Sequence, residues 1–245
     1  MQTRVDEIAE RIYRLSTFLP AVGPSGLTFN QFLVDADEPL LFHCGQRALF
    51  PAVSRAVASL MDVRRLRWIA FSHVEADECG ALGEWLAAAP DATVTHGAIG
   101  CAIWLNDQAP RPPRALADDE VLDLGGRRVR RLDTPHVPHC WDAGLLHEES
   151  TGTLFCSDLF THGGDPPALT GGDIVGPAMA AEAQFGYTAV TPATGATIRR
   201  LAALGPRTLA VMHGSSFGGD AAPVLGALAQ FYDDLLQKDA AALRR

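Results

Sequence analysis

No Cys-x-x-Cys pair occurs among the five cysteines Cys44, Cys79, Cys101, Cys140 and Cys156. An odd count without that spacing excludes a thiolate zinc ribbon and gives no disulfide framework. The cysteines therefore read as small buried hydrophobes, although Cys79, Cys140 and Cys156 stand beside polar motifs. No stretch approaches the ~20 apolar residues of a membrane span. The N-terminal residues Met1 to Glu7 are charged early and lack the apolar segment of a secretory signal, so a cytoplasmic protein is expected. Cations are scarce: 20 Lys and Arg, with Lys238 the sole lysine, face 29 Asp and Glu, for a formal net charge of −9. That balance argues against nucleic acid or anionic lipid as a partner and favours a small molecule or another protein. No repeat period and no low-complexity tract is present.

What remains is an ordinary globular composition, 47% apolar and 20% charged over 245 residues, enough to bury a sizeable core; one domain over 1–245 is expected. Apolar and β-branched runs predict strands at Arg11 to Leu15, Leu27 to Val34, Pro39 to His43 and Leu66 to Phe71, with a helix over Leu49 to Met61. A polar loop, Ser72 to Gly80, precedes a helix over Ala81 to Ala89. A strand at Thr93 to Thr95, a helix over Ala98 to Leu105 and a proline-rich surface connector, Pro110 to Pro113, follow. Strands are expected at Val121 to Leu124, Arg128 to Asp133, Gly144 to Glu148 and Thr153 to Cys156, with turns at Gly125-Gly126 and Ser150-Thr151-Gly152. Helices over Thr191 to Leu204 and Ala222 to Ala242 enclose a strand at Thr208 to Met212. Two sheets flanked by helices make an α/β fold, an αββα four-layer sandwich.

Polar residues able to bind a metal recur where predicted strands end. His73, Glu75 and Asp77 lie in one segment, and three further loops add His139, Asp158 and His213. A lone histidine is more often structural, but buried carboxylates without partners are costly, so this many at strand ends point to a shared cation. His43, His96 and His147 lie away from these loops and read as structural. Trp141 shields the metals from water or, as the ordinary account, packs in the core.

The order His-x-Glu-x-Asp, His, Asp, His resembles the metallo-β-lactamase superfamily, and within it the diiron domain of flavodiiron proteins and their stand-alone oxygen-binding relatives. The resemblance runs from Phe29-Asn30-Gln31-Phe32-Leu33 to His213-Gly214. It implies that His73, Glu75 and His139 hold one metal and Asp77 and His213 the other, with Asp158 bridging. Glu75 stands where hydrolytic members usually carry a second histidine, and an oxygen-rich anionic donor set favours iron over zinc. The family usually has a histidine at the position of Glu78. Three roles are open there: ligation of the second metal, a hydrogen bond behind a ligand, or exposure. His136 competes with His139, which is favoured because Asp142 fits the family's His-x-x-Asp spacing and such a carboxylate orients a ligand histidine. His162 and Tyr187 are candidate pocket residues able to donate a hydrogen bond to bound oxygen.

The resemblance implies a non-haem diiron protein that binds dioxygen or nitric oxide between two irons, as a sensor, a carrier or a reductase. Two ferrous ions supply two electrons and reduction of dioxygen to water takes four, so turnover needs a separate electron donor. No FMN site is expected in this chain. A signalling partner and a homodimer are further expectations. The alternative from another class is a hydrolase with two zinc ions, whose bridging hydroxide attacks an ester, thioester, lactone or phosphodiester.

Overall fold

Successive strand residues point to opposite faces of a sheet, and here both faces are apolar. In the run Phe32-Leu33-Val34 the outer two side chains join one core and Leu33 another; Leu40-Leu41-Phe42, Ile69-Ala70-Phe71 and Leu209-Ala210-Val211 split the same way. Strands buried on both faces demand cover on both sides. In the computed structural model, which describes residues 2–242, three stacked cores provide it.

The first sheet runs in chain order: β1 Thr3–Ala9, β2 Ile12–Leu19, β3 Leu27–Val34, β4 Leu40–Phe42, β5 Trp68–Ala70, β6 Thr93–Gly97 and β7 Arg114–Leu116. The second comprises β8 Val121–Asp123, β9 Arg128–Asp133, β10 Gly144–Glu148, β11 Thr153–Ser157, β12 Leu169–Thr170, β13 Thr208–Val211 and β14 Ser216–Gly218, in the spatial order β12-β14-β13-β11-β10-β9-β8. Phe32, Phe42, Leu146, Phe155 and Ala210 fill the space between the sheets. On the outer face of the first sheet lie α1 Phe50–Ala58, α2 Ala76–Cys79 and α3 Leu82–Ala88; α4 Ala98–Gly100 and α5 Asn106–Gln108 follow, joined by a π turn over Cys101–Leu105. The second sheet carries α6 Val175–Phe185, α7 Thr194–Ala202 and α8 Ala222–Ala242. This is the expected αββα sandwich.

Several elements differ from the sequence expectation for local reasons. β1 is an edge strand whose Arg4, Asp6 and Glu7 obscure its pattern. In α6, Gly176, Pro177 and four alanines give little helical periodicity. The strands β7, β12 and β14 have two or three residues each, too few to show a period. The segment Ser72 to Gly80 is not all loop, because α2 occupies its second half. The α7 helix starts at Thr194, not Thr191, whose hydroxyl serves the turn before it by accepting from Ala193 N–H at 3.2 Å. Trp141 is 55% exposed, so core packing is not its role.

The topology places polar side chains at one edge. β4, β5 and β6 are parallel, with Phe42, Ala70 and Thr95 in register. Their C-terminal ends therefore deliver His43, the segment starting at Ser72 and His96 side by side, as parallel sheets deliver functional residues beyond strand C-termini. In the second sheet β11 and β13 are parallel, with Ser157 opposite Val211, so Asp158 and His213 emerge together. Two backbone bonds fasten the sheets at this edge: Gly144 N–H to Ser72 O and Asn30 N–H to Met212 O, each 3.0 Å. The Gly125-Gly126 hairpin has φ of +73° and +81°, a turn suited to glycine.

Candidate metal centre

All six candidate donors meet at this edge. Around Asp158 Oδ2 stand His73 Nε2 at 3.6 Å and His139 Nε2 at 3.7 Å. Glu75 Oε2 lies 3.0 Å from His73 Nε2 and 2.9 Å from His139 Nε2. On the other side of the same carboxylate, Asp158 Oδ1 is 3.3 Å from His213 Nε2, which is also 3.3 Å from Asp77 Oδ2. One aspartate thus faces two groups of donors with its two oxygens. An ion ~2.1 Å from each donor separates neighbouring donors by about 3.0 Å in an octahedron and 3.4 Å in a tetrahedron. The first group fits one such ion, with its four donors all within 4.8 Å of one another; in the second, His213 is 3.3 Å from each carboxylate, but Asp77, His213 and Asp158 do not form so close a set.

The electrostatics favour cations as well. Burial pulls the His73 imidazole down, but Glu78, Glu75 and Asp158 outweigh it and lift its pKa to about 10. His213 behaves alike: burial opposes protonation, and Asp158 and Asp77 raise it to about 10. His139 and His73 hold Glu75 well below the usual carboxylate range. Burial pushes Asp158 up, yet His213, His73 and His139 bring it down to about 2. Imidazoles that keep a proton this firmly sit in a field that attracts metal ions equally.

Each candidate ligand histidine is oriented differently. His213 Nδ1 donates to Thr28 O at 2.8 Å, leaving Nε2 toward Asp158. His73 Nδ1 meets Ser72 Oγ at 3.1 Å, with a Glu78 oxygen behind it at 3.5 Å. His139 Nδ1 has no hydrogen-bond partner. Asp142 does not orient His139 as its spacing suggests; its Oδ2 accepts from Val74 N–H at 3.1 Å and ties the His139 loop to the first sheet's segment.

Of the three roles open to Glu78, the structure places it behind His73. Its carboxylate is fully buried and accepts from Ser72 N–H and His73 N–H, both at 2.9 Å, and from the Ser157 hydroxyl. It neither faces solvent nor points at the His213 group. His43 Nε2 approaches it at 3.4 Å, so this residue, read from sequence as structural, belongs to the layer beneath the site. Its signal was its place after β4, beside the strand that carries the motif. Burial pushes the Glu78 carboxyl up to about 7 against the pull of His73, and burial drives His43 down to about 3. His96 also supports the motif, with Nε2 donating to Ser72 O at 3.1 Å.

His136 is exposed and takes part through its backbone alone, donating N–H to Cys140 O at 2.7 Å. The Cys140 thiol, unlike His136, lies within 4.8 Å of the His73 and His139 donor atoms. Left-handed backbone collects here: among the described residues, five of the seven non-glycine residues with positive φ are His43, His136, Cys140, Ser157 and Phe160. Such strain persists where surrounding structure enforces it, as at functional sites. His147 lies on β10 away from this edge.

A cavity of about 470 Å³ opens onto Glu75, Asp77, His139, Asp158 and His213. His162 and Tyr187 both line it. His162 cannot donate to a ligand there: Nδ1 donates to Phe160 O at 2.8 Å and Nε2 accepts from Ser215 N–H at 2.9 Å. Gly214 presses on that ring at φ +113°, where a Cβ would fall 2.3 Å from it. The Tyr187 hydroxyl, in contrast, is buried beside that of Tyr232.

A family model described as ODP family beta lactamase matches residues 27–169, more than half of the chain. The chain belongs to this family. A relative, the putative diflavin flavoprotein A 1 of Nostoc sp., is 29% identical over 139 residues, 56% of this chain and 24% of that protein. The anaerobic nitric oxide reductase flavorubredoxin of Pectobacterium carotovorum is 22% identical, over 55% of this chain and 27% of its own length. The match thus spans about a quarter of these relatives. Among solved structures, rubredoxin oxygen:oxidoreductase from Desulfovibrio gigas superposes with a TM-score of 0.81 at 16% identity, covering 94% of this chain and 62% of that one. That likeness establishes the metallo-β-lactamase-like fold. No helix among the described residues is long and apolar enough to cross a membrane.

Proposed function

We propose that this ODP-family chain is a non-haem diiron protein that binds dioxygen or nitric oxide. His73, Glu75 and His139 would hold one iron, Asp77 and His213 the other, and Asp158 would span the pair. The observation that carries this is the Asp158 carboxylate, with one oxygen toward each group of donors at 3.3 to 3.7 Å. Three carboxylates with three imidazoles form the mixed oxygen and nitrogen set that suits iron. The irons, when bound, supply electrons and coordination positions for a diatomic oxidant. The names of the relatives, a nitric oxide reductase and a rubredoxin oxygen:oxidoreductase, support that choice of substrates.

The chain's own residues prepare the site. Thr28 and Ser72 fix the ligand imidazoles, and Glu78 pins the backbone of the motif. The cavity admits the ligand, and Tyr187, which lines it, is the candidate to donate a hydrogen bond to that ligand. A separate electron-donor protein would make the chain a reductase; without one it would be a sensor signalling to a partner, or a carrier. Iron analysis after expression with added iron, followed by anaerobic reduction and exposure to dioxygen, tests the proposal. Two irons per chain and a new visible absorption band are expected. Tightly held zinc with no spectral response to dioxygen or nitric oxide would overturn it in favour of a hydrolase.

A further inference from the structure

The two groups of donors are unequal. Around the first position, His73 Nε2, Glu75 Oε2, His139 Nε2 and an Asp158 oxygen all lie within 4.8 Å of one another, four donors in one cluster. Around the second, the described contacts give three: Asp77 Oδ2, His213 Nε2 and Asp158 Oδ1. Glu78, the residue next to Asp77, adds no fourth, because both its oxygens are engaged beneath His73.

The charges behind the two positions differ in the same sense. Behind the His73 ring stands the buried Glu78 carboxylate, 3.5 Å from Nδ1. A carboxylate there makes an imidazole a stronger ligand. Behind His213 the Nδ1 partner is only the Thr28 carbonyl. One residue further along, the Gly214 carbonyl accepts from Nη2 of Arg14 at 2.9 Å. Arg14 is fully buried, its Nε and Nη1 have no hydrogen-bond partner among the described residues, and its ion-pair partner Asp6 is 3.8 Å away and partly exposed. A buried guanidinium whose ion-pair partner is half-exposed still opposes a divalent ion bound at His213.

We infer that the His73–Glu75–His139 position binds its metal first and firmly, that the Asp77–His213 position binds second and exchanges, and that Arg14 sets much of the gap. The inference rests on the two-metal proposal and extends it to order of loading. Asp158 belongs to both positions, so the first ion fixes the carboxylate that the second one needs. A protein holding a single ion is then the state expected at low metal supply.

The test is a titration of the metal-free full chain with Zn²⁺ against a competing chromophoric chelator, with native mass spectrometry at one equivalent. Two steps at least tenfold apart are expected, with the one-ion species dominant at one equivalent. Asp77→Ala should remove only the second step, and His139→Ala should weaken the first. Arg14→Met should tighten the second step by up to about tenfold, the scale of one buried charge, and the first by less. Joint uptake of two ions without a one-ion species would overturn the inequality while leaving the two-metal proposal standing. A second constant unmoved by Arg14→Met would overturn the role of Arg14. Saturation at one ion in the unaltered chain would overturn the two-metal proposal itself. The step separation in the unaltered chain decides the order of loading even if Arg14→Met does not fold.

Discussion

The two sheets furnish the centre in different ways. The first delivers His73, Glu75 and Asp77 from one continuous segment after β5, braced from below by Glu78, His43 and His96. The second delivers His139, Asp158 and His213 from three loops separated by long stretches of chain, and they converge only because β10, β11 and β13 are neighbours. One half is therefore a local motif held by buried polar groups. The other is a product of topology, held by strand pairing and by bonds from Thr28 and Asn30 across the sandwich.

Asp158 is the point where this contrast breaks down, since it faces donors from both sheets. Removing it has the largest expected effect: Asp158→Ala should lower bound metal from two ions per chain to less than one, measured by elemental analysis of protein purified with iron present. Retention of both ions would show that the halves hold metal independently. Next comes the brace under the first half. Glu78→Ala strands the Ser72 and His73 N–H groups and the Ser157 hydroxyl in a dry site, which should cost about 3 kcal/mol in denaturant unfolding. Glu78→Gln keeps an acceptor and should cost less than half of that. Equal losses for the two variants would mean that the packing of the side chain matters and its hydrogen bonds do not.

Acid should act on the same brace. Burial holds His43 at about 3, and burial with Arg131 holds His96 at about 3, both below their unfolded value near 6.5. Protons then bind the unfolded chain preferentially between those limits. Stability contributed by the neutral rings is fully present above pH 6.5 and falls as pH drops, by ~1.4 kcal/mol per unit for each histidine. Urea midpoints measured between pH 7 and 5 should fall accordingly. His96→Phe, which cannot take up a proton, should flatten that slope, and an unchanged slope would place the acid sensitivity elsewhere.

The same contrast explains what the sequence made legible. Most strands of the two inner layers announced themselves through apolar runs, and the six candidate donors through their positions at strand ends; β7, β12 and β14 were too short to do so. The edge strand β1 and the helix α6 did not: charges mask one, and alanine, glycine and proline blur the other. Around the site, residue type and spacing suggested chemistry but not direction. Glu78 had three roles open, ligation, a hydrogen bond behind a ligand and exposure, and the position of its oxygens under His73 selects the second. Asp142 had the spacing to orient His139 but instead holds Val74 N–H, and His162 spends both ring nitrogens on the backbone. Hydrogen bonds to main-chain groups distant in sequence decide such roles, and no local pattern encodes them.

The smallest expected effect separates the two histidines of the second sheet's loop. His136 is exposed, and its contact is a backbone bond to Cys140 O, which a substitution to alanine retains. Its left-handed φ of +65° suits glycine or asparagine better than alanine. His136→Asn should therefore leave metal content unchanged and shift stability by no more than ~0.5 kcal/mol, the range of ordinary surface changes. His139→Asn, three residues on, removes the imidazole 2.9 Å from Glu75 and should lose metal from the four-donor position. If His136→Asn lost metal and His139→Asn did not, the loop would have to turn the other way in the loaded protein. The second half of the centre would then be assembled by the metal and not by the fold.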